Sequence, residues 1–348
     1  MRRLSVLTLV LLLLVSHALG EKTLTLTFTG DVTLGSEEHI RPRPTSFESL
    51  DAENGHDYFM ANFMDLFSAD DQTIINLEGV LSDSSRGENT QKQYRFRGPA
   101  YLADILVQSS IEAANISNNH AMDYGNQGFE STKEVLEKAG VAYFGYSQNY
   151  IMEKDGLRIA FYGIVSPKFQ SLWPRCREEI QALKAEGVNA VVLVFHAGQE
   201  YGRHRNSMQE NFARKAIDAG ADLVIMHHPH VLQGLEIYKD RSICYSLGNF
   251  CFGGNTAVRA LQTAVVQADL TFDDDGRYLG QLLRIYPAHI SGDSSVNNFQ
   301  PVRVSGAEAE AVMKLIQDDT GFDLVPYDEE LGYAPQSYVP AQTVISVP

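Results

Sequence analysis

Short apolar runs, each long enough for one β-strand, recur along the chain and constrain its fold more than any other feature. Seven of them lie at 73–77, 111–117, 141–146, 158–164, 189–195, 222–226 and 242–247. An earlier run at 24–29 alternates apolar residues with threonine and stops at Gly30 and Asp31. This pattern predicts a strand that delivers Asp31 to a loop.

Helical patterns separate several of these runs. Apolar spacing predicts helices at 57–69, 99–109, 129–139 and 207–219, of which the last two are ended by Gly140 and Gly220. Strands that alternate with helices indicate an α/β protein with helices outside a buried sheet. Farther on, runs at 261–272 and 282–286 flank an Asp-rich turn at 273–276, which predicts an antiparallel hairpin, and a short helix is expected near Gly306–Gln317 before a tail.

The first 20 residues have the layout of a signal peptide. Arg2 and Arg3 precede an apolar run at 4–15, and small residues near Gly20 suit cleavage after that position. The run is shorter than the about 20 apolar residues that span a membrane, although an uncleaved anchor is the alternative. We therefore expect an exported protein that is periplasmic, extracellular or at the cell surface.

Charge and cysteine content exclude two further classes of protein. The formal net charge is −16, and loss of Arg2 and Arg3 would make it more negative, so nucleic acid is not expected as a partner. Three cysteines, Cys176, Cys244 and Cys251, are too few for a disulfide framework, while a single bridge stays open.

Metal-capable side chains follow five of the apolar runs directly. They are Asp31, Asn76 with Glu78, the segment 118–120, His196, and the segment 227–230. Ligands of α/β sheets gather outside the carboxyl ends of the strands, so these segments are expected to converge in one crevice. Carboxylate, amide and imidazole ligands without thiolate suit one or two divalent ions of the Zn, Mn or Fe class.

These segments resemble the calcineurin-like metallophosphoesterase superfamily, and within it the CapA family of poly-γ-glutamate capsule-synthesis proteins. The resemblance is in GDVTLG (30–35), NLEG (76–79), SNNHAMDYGNQG (117–128), HAGQEY (196–201), HHPHVLQG (227–234) and YSLGNF (245–250). It implies a metallophosphoesterase-like β-sandwich flanked by helices in four layers, α/β/β/α, with a C-terminal antiparallel hairpin. We expect residues 21–290 to form this domain, and residues 291–348 to form a helix and tail packed on it.

The resemblance also implies a role for individual residues. It assigns Asp31 and His230 to one metal, Glu78 to the bridging position, and Asn119, His196 and His228 to a second metal. His120 is the candidate general acid that protonates the leaving group, and Asp123 the residue that orients it. Thr33 stands where the superfamily has a histidine, and Glu78 where it usually has an aspartate. The first site is therefore expected to bind its metal ion more weakly, and whether the protein holds one ion or two stays open.

Arg95 and Arg97 are the candidate substrate-binding residues. Both lie in a segment that resembles the family and could present a guanidinium to an anionic substrate, but an ordinary solvated loop is the alternative.

Together these features predict an exported metal-dependent hydrolase. It would act on phosphoester or γ-glutamyl amide bonds in the synthesis, attachment or processing of a surface polyanion such as poly-γ-glutamate. Its expected partners are the anionic polymer or phosphoester and capsule machinery at the membrane. The alternative is a non-catalytic accessory that binds anionic polymer or partner proteins through a reduced metal site.

Overall fold

The structure is a computed structural model that describes residues 20–165, 169–255 and 257–341, so the predicted signal peptide lies outside the described residues except for Gly20. Seven α-helices occur in this part of the chain: α1 (Phe47–Asn54), α2 (Met64–Phe67), α3 (Ala103–Gln108), α4 (Gly125–Ala139), α5 (Phe169–Ala185), α6 (Ser207–Ala219) and α7 (Gly306–Gln317). No helix in these ranges is long and apolar enough to cross a membrane.

Two large sheets and one small pair account for the strands. The first nine strands are β1 (Lys22–Thr33), β2 (Gln72–Leu77), β3 (Val80–Leu81), β4 (Arg97–Gly98), β5 (Ala113–Asn115), β6 (Ala142–Phe144), β7 (Tyr150–Lys154), β8 (Leu157–Val165) and β9 (Ala190–His196). The others are β10 (Leu223–His227), β11 (Leu235–Tyr238), β12 (Arg241–Cys244), β13 (Asn249–Phe252), β14 (Gln262–Phe272), β15 (Tyr278–His289), β16 (Val302–Arg303), β17 (Ala334–Pro335) and β18 (Val339–Pro340).

The larger sheet has the order β16-β15-β14-β1-β2-β5-β6, with β13 beside β1 and with β17 and β18 beside β15. The smaller sheet has the order β11-β12-β10-β9-β8-β7. Within them β1, β2, β5 and β6 are mutually parallel, as are β8, β9, β10 and β12. The predicted C-terminal hairpin is confirmed, because β14 and β15 pair antiparallel along their whole length.

Three apolar clusters define four layers. The first cluster lies between the sheets and joins Leu26 and Phe28 of β1 to Val192 and Val194 of β9. The second packs the other face of the larger sheet against α1 to α4, and the third packs the other face of the smaller sheet against α5 and α6. Each sheet is therefore buried on both faces, which explains its continuous apolar strands. The predicted α/β/β/α sandwich is confirmed.

An irregularity in β1 turns Asp31 toward the second sheet. Leu26 and Phe28 face the cluster between the sheets, whereas Val32, at a position of the same parity, faces the helices. The register of β1 against β2 shifts between Phe28 and Asp31. One extra residue in a strand exchanges the two faces, so Asp31 points between the sheets. The strand also continues to Thr33, which corrects the expectation that Asp31 lies in a loop.

Other elements differ from the sequence prediction in length rather than in place. The helix predicted at 57–69 is two short 3-10 turns followed by α2, because its backbone leaves helical angles at Met60 and Phe63. Both residues are fully buried together with Phe59 and Phe67. The spacing of these four residues would suit one face of a regular helix, so the sequence pattern does not show the breaks at Met60 and Phe63. The predicted ends of α4 and α6 at Gly140 and Gly220 are confirmed, with both glycines left-handed.

The C-terminal part contacts the sandwich at two places. Helix α7 places Ala309 and Val312 in the cluster between the sheets, and β17 and β18 extend the larger sheet at β15. The division between 21–290 and 291–348 stays a prediction. The three cysteines are buried free thiols, and burial raises the pKa of Cys176 and Cys244 to about 12.

Candidate metal centre and active site

The predicted convergence of strand ends occurs between the carboxyl ends of the two sheets. Along four strands the last inward-facing apolar residue is followed, two positions later, by a polar one. These residues are Asn76 of β2, Asn115 of β5, His196 of β9 and His227 of β10, and a period of two keeps them on the same face as the core. On β1 the extra residue places Asp31, three positions after Phe28, on that face as well. The polar centre is therefore the continuation of the apolar core past the ends of the strands.

The carboxylate of Glu78 lies at the middle of this centre without a hydrogen-bonding partner in the part of the chain that the structure describes. Both of its carboxylate oxygens are fully buried and unbonded among the described residues. Three imidazoles face the Oε1 atom, with Nε2 of His196 at 3.6 Å, Nε2 of His120 at 3.8 Å and Nε2 of His230 at 3.9 Å. An unpartnered buried carboxylate is costly, and a cation beside it removes that cost. The residues present therefore fit a divalent metal ion.

The residues assigned by resemblance to the second metal lie around one point. Nε2 of His196 is 2.7 Å from Oδ1 of Asn119 and 3.1 Å from Nδ1 of His228. The same nitrogen faces Glu78, so these residues meet at Nε2 of His196. The arrangement combines two imidazoles, one amide oxygen and one carboxylate, which is a ligand set for Zn, Mn or Fe.

The residues assigned to the first metal meet at Asp31. Nδ1 of His230 is 3.2 Å from Oδ2 of Asp31, and Nδ1 of His227 is 3.3 Å from Oδ1. Thr33 does not face this group, because its hydroxyl donates a 2.7 Å hydrogen bond to the backbone carbonyl of Glu78. The nitrogen that the sequence lacks at position 33 is therefore matched by His227, a residue to which the sequence analysis assigned no role.

Protonation in the metal-free chain follows from burial and from the nearby charges. Burial raises the pKa of Glu78 well above its usual range. Burial acts in the same direction on Asp31, but hydrogen bonds to His227 and His230 and their charges hold the pKa of Asp31 well below its usual range. Burial lowers the pKa of His196 and His228. Neutral imidazoles beside carboxylates are the forms that bind a metal ion.

His230 is the exception among these imidazoles. Burial would lower its pKa, but the charge of Glu78 and the hydrogen bond and charge of Asp31 outweigh that effect and raise the pKa of His230 to about 9. A metal ion that binds His230 competes with a proton at this imidazole.

The backbone at the histidine segment is strained. His228 has a φ of 99° and His230 a φ of 58°, both in the left-handed region that side chains with a Cβ rarely adopt. Such angles cost of order 1–3 kcal/mol each and are concentrated at functional sites. Gly30 permits a second close approach, since a Cβ there would lie 2.4 Å from the carbonyl oxygen of Gly248. The left-handed backbone angles place residues 228–230 next to Asp31. The close approach at Gly30 places residues 248–249 there.

His120 and Asp123 form the pair expected of a general acid and its orienting carboxylate. Nδ1 of His120 lies 2.6 Å from Oδ2 of Asp123, which also accepts a 2.8 Å hydrogen bond from the backbone N–H of Phe96. Lys92 forms an ion pair with the other oxygen of Asp123. Burial lowers the pKa of His120, while the hydrogen bond to Asp123 opposes the change. Nε2 is left free to face the centre.

Two asparagines hold the ligands: Asn76, which the sequence analysis counted among the metal-capable side chains, and Asn249, to which it gave no role. Nδ2 of Asn76 donates to Oδ1 of Asp31 at 2.7 Å and lies 3.1 Å from Nδ1 of His196. Oδ1 of Asn249 lies 2.9 Å from Nδ1 of His230. Both asparagines belong to segments that carry the family resemblance, NLEG and YSLGNF, so the signal was present. The structure shows what each one contacts, because strand pairing places Asn249 of β13 and Asn76 of β2 on either side of Asp31.

A pocket opens from the centre to the surface. His120 and His230 line it together with the aromatic residues Tyr94, Phe96, Tyr201 and Phe252 and the charged residues Glu200 and Arg259. This mixture of apolar walls and a few polar groups is typical of a small-molecule site.

The structure does not bring Arg95 or Arg97 to the lining of this pocket. Arg95 binds Glu88 and the backbone carbonyls of residues 92 and 93. Arg97 is buried, with hydrogen bonds of 2.6 Å to Glu38 and to the carbonyl of Ser82. Both guanidinium groups are occupied by protein partners, so the expectation that they bind substrate gains no contact from the structure. Arg259, which the sequence analysis did not consider, is the arginine at the pocket.

Comparison with known proteins identifies relatives along most of the chain. The capsule biosynthesis protein CapA of Bacillus anthracis is 27% identical over 331 residues, which cover 88% of this chain and 75% of that protein. The PGA biosynthesis protein CapA of Bacillus subtilis is 29% identical and covers 79% of this chain and 76% of that protein. A solved structure of a hypothetical protein from Thermus thermophilus superposes with a TM-score of 0.47 at 14% identity, over 76% of this chain and 99% of that one.

A sequence profile of one family matches residues 25–254, which is well over half of the chain and contains all the residues of the centre described above. The chain belongs to the bacterial capsule synthesis protein family PGA_cap.

Proposed function

We propose that this protein is an exported, metal-dependent hydrolase that acts in the synthesis, attachment or processing of a surface polyanion such as poly-γ-glutamate. The observation that carries the proposal is the buried, unpartnered carboxylate of Glu78 among three imidazoles, next to the His120–Asp123 pair. The capsule role is supported by the family and by the names of the two Bacillus relatives.

The chain offers two groups of residues that could hold a cation. One consists of Asp31, Glu78 and His196 and the other of Glu78, His228 and His230, and the ligand atoms in each lie within 4.8 Å of one another. Glu78 is common to both groups, in keeping with the bridging position, but the groups pair His196 with Asp31 and His228 with His230, which differs from the partition that the resemblance implies. A divalent cation bound there supplies Lewis acidity toward a phosphoryl or carbonyl oxygen and toward water.

The residues of the chain supply binding, orientation and a proton. Asn76 fixes Asp31 and His196, and Asn249 fixes His230, so the ligands are held before any substrate arrives. Asp123 holds Nδ1 of His120 and so directs Nε2 toward the centre, where it can give a proton to the departing oxygen or nitrogen.

The alternative is an accessory protein that binds anionic polymer without hydrolysing it. It is favoured by Thr33, whose hydroxyl is engaged with a backbone carbonyl rather than with the centre. Metal content and hydrolysis measured on one purified sample separate the two functions. A hydrolase contains divalent metal and loses activity on chelation, whereas an accessory protein shows no metal-dependent turnover of phosphoesters or γ-glutamyl amides.

Export is tested separately from activity. The sequence of the first 20 residues supports cleavage after Gly20. N-terminal sequencing of the protein recovered from its native cells is expected to begin at Glu21. A chain that retains residues 4–15 would instead support the uncleaved anchor.

A further inference from the structure

Arg259 lies at the mouth of the pocket that His120 and His230 line. Its guanidinium carbon is 6.0 Å from the ring centroid of Tyr94. The hydroxyls of Tyr94 and Tyr201 lie near the guanidinium and raise the pKa of Arg259. The backbone N–H of Tyr201 in turn donates a 2.8 Å hydrogen bond to the carbonyl of Pro229, between the two strained histidines. The position of Arg259 is thus linked to the metal centre through Tyr201.

The charge of Arg259 is not neutralised by the protein. Within the described ranges no carboxylate oxygen lies within 4.0 Å of its guanidinium, whereas Lys92, Arg95 and Arg97 pair with Asp123, Glu88 and Glu38. A guanidinium without a carboxylate partner keeps its full charge for an external anion. A guanidinium also presents donors in a planar fork that matches a carboxylate.

We infer that Arg259, held by Tyr94 and Tyr201, is a specificity residue that binds a carboxylate of the substrate next to the bond cleaved at the centre. This inference rests on the proposed function for the identity of that bond. A singly charged carboxylate fits better than a doubly charged phosphate, because Glu200 lines the same pocket.

The test measures binding of a γ-linked pentaglutamate by calorimetry, before and after removal of metal by a chelator. We expect Arg259→Ala to weaken binding about tenfold in both states, in line with the loss of one charge-assisted hydrogen-bonded pair at an exposed position. Arg259→Lys, which keeps the charge without the fork, should give a smaller loss. The pentaglutamate with its α-carboxylates converted to amides should bind the wild type and Arg259→Ala equally.

Arg277→Ala is the matched control. It removes the same charge from the turn between β14 and β15, at the end of the sheet where Phe272 pairs with Lys22, opposite to Asp31. Its side chain is 78% exposed. We expect binding to Arg277→Ala within twofold of the wild type.

Equal affinity of Arg259→Ala and Arg277→Ala for the pentaglutamate would overturn the inference, as would a wild type that does not bind it. Loss of binding to inorganic phosphate alone in Arg259→Ala would overturn the assignment to a carboxylate. Hydrolysis is measured on the same samples. Binding that depends on Arg259 without metal-dependent hydrolysis would contradict the proposed function and leave the role of Arg259 standing.

Discussion

Nε2 of His196 lies 2.7 Å from Oδ1 of Asn119, although the two residues are 77 positions apart in the chain. One residue ends a strand of the smaller sheet and the other follows a strand of the larger sheet. Their contact shows that the site exists only because the two sheets are packed face to face with their carboxyl ends aligned. The candidate metal site therefore depends on the packing between the sheets.

Loss of a histidine from this contact should lower metal content. We expect His196→Ala and His228→Ala each to reduce bound divalent metal by at least tenfold, because each removes an imidazole that faces Glu78 or its neighbours. Elemental analysis of the purified variants measures this. His204→Ala is the control, since His204 is 70% exposed and contacts Asp319 outside the centre. Full metal content in both variants would show that the ligand assignment is wrong.

His120 is expected to act on the leaving group rather than on the metal. His120→Ala should retain metal and lose roughly 10²–10⁴-fold in kcat on substrates with poor leaving groups, with a much smaller loss on activated aryl esters. Steady-state kinetics on both substrate types, with metal content measured in parallel, give the comparison. An equal loss on the two types would argue against proton donation by His120.

Thr33 is expected to stabilise the loop that carries Glu78 without binding metal. Thr33→Val removes the hydrogen bond to the backbone carbonyl of Glu78 and should lower the free energy of unfolding by about 1 kcal/mol while metal content stays unchanged. Urea unfolding and elemental analysis measure the two effects. Thr33→Ser keeps the hydroxyl and should be closer to the wild type. A loss of metal without a loss of stability would make Thr33 a ligand instead.

Asp70 predicts a pH dependence of stability away from the site. Burial, with a smaller contribution from the charge of Asp71, raises the pKa of Asp70 to about 6. Because the folded chain holds this proton more tightly than the unfolded chain, stability falls as pH rises from about 4 to about 6. Asp70→Asn, which can still accept the hydrogen bond from Thr73, should be more stable than the wild type above pH 6 by about 1 kcal/mol after allowance for solvent screening.

Urea unfolding at pH 4 and pH 7 measures this difference, with the exposed Asp104→Asn as the control for the change in net charge. A difference between Asp70→Asn and the wild type that does not change with pH would contradict the assignment.

The fold, and the convergence of most of the candidate ligands, could be predicted from the sequence because each depends on a local pattern. An apolar run followed by Asp31 or His196 identifies both a strand and the end at which its ligand lies. The contribution of His227 could not be predicted in the same way, because its distance to Asp31 depends on the exchange of faces within β1. The apolar pattern of β1 alone does not show where its two faces are exchanged.

The arginines predicted to bind substrate also show what the sequence could not predict. Arg95 and Arg97 lie in a segment that resembles the family, but their partners Glu88 and Glu38 belong to none of the motifs that carry the resemblance. Arg259 also lies outside those motifs. Whether a carboxylate of the protein neutralises a given arginine depends on the positions of all the acidic residues, and only the structure gives these positions.

Glu78 provides the most direct test of the central claim, which is that this buried carboxylate holds a catalytic divalent metal. Glu78→Gln keeps the shape of the side chain and removes the buried charge, so the metal-free variant should be folded and at least as stable as the metal-free wild type. Metal content and hydrolytic activity are measured together on the wild type and on Glu78→Gln. We predict bound divalent metal with activity that is lost on chelation in the wild type, and neither metal nor activity in the variant. A folded Glu78→Gln protein with the metal content and activity of the wild type would contradict the claim.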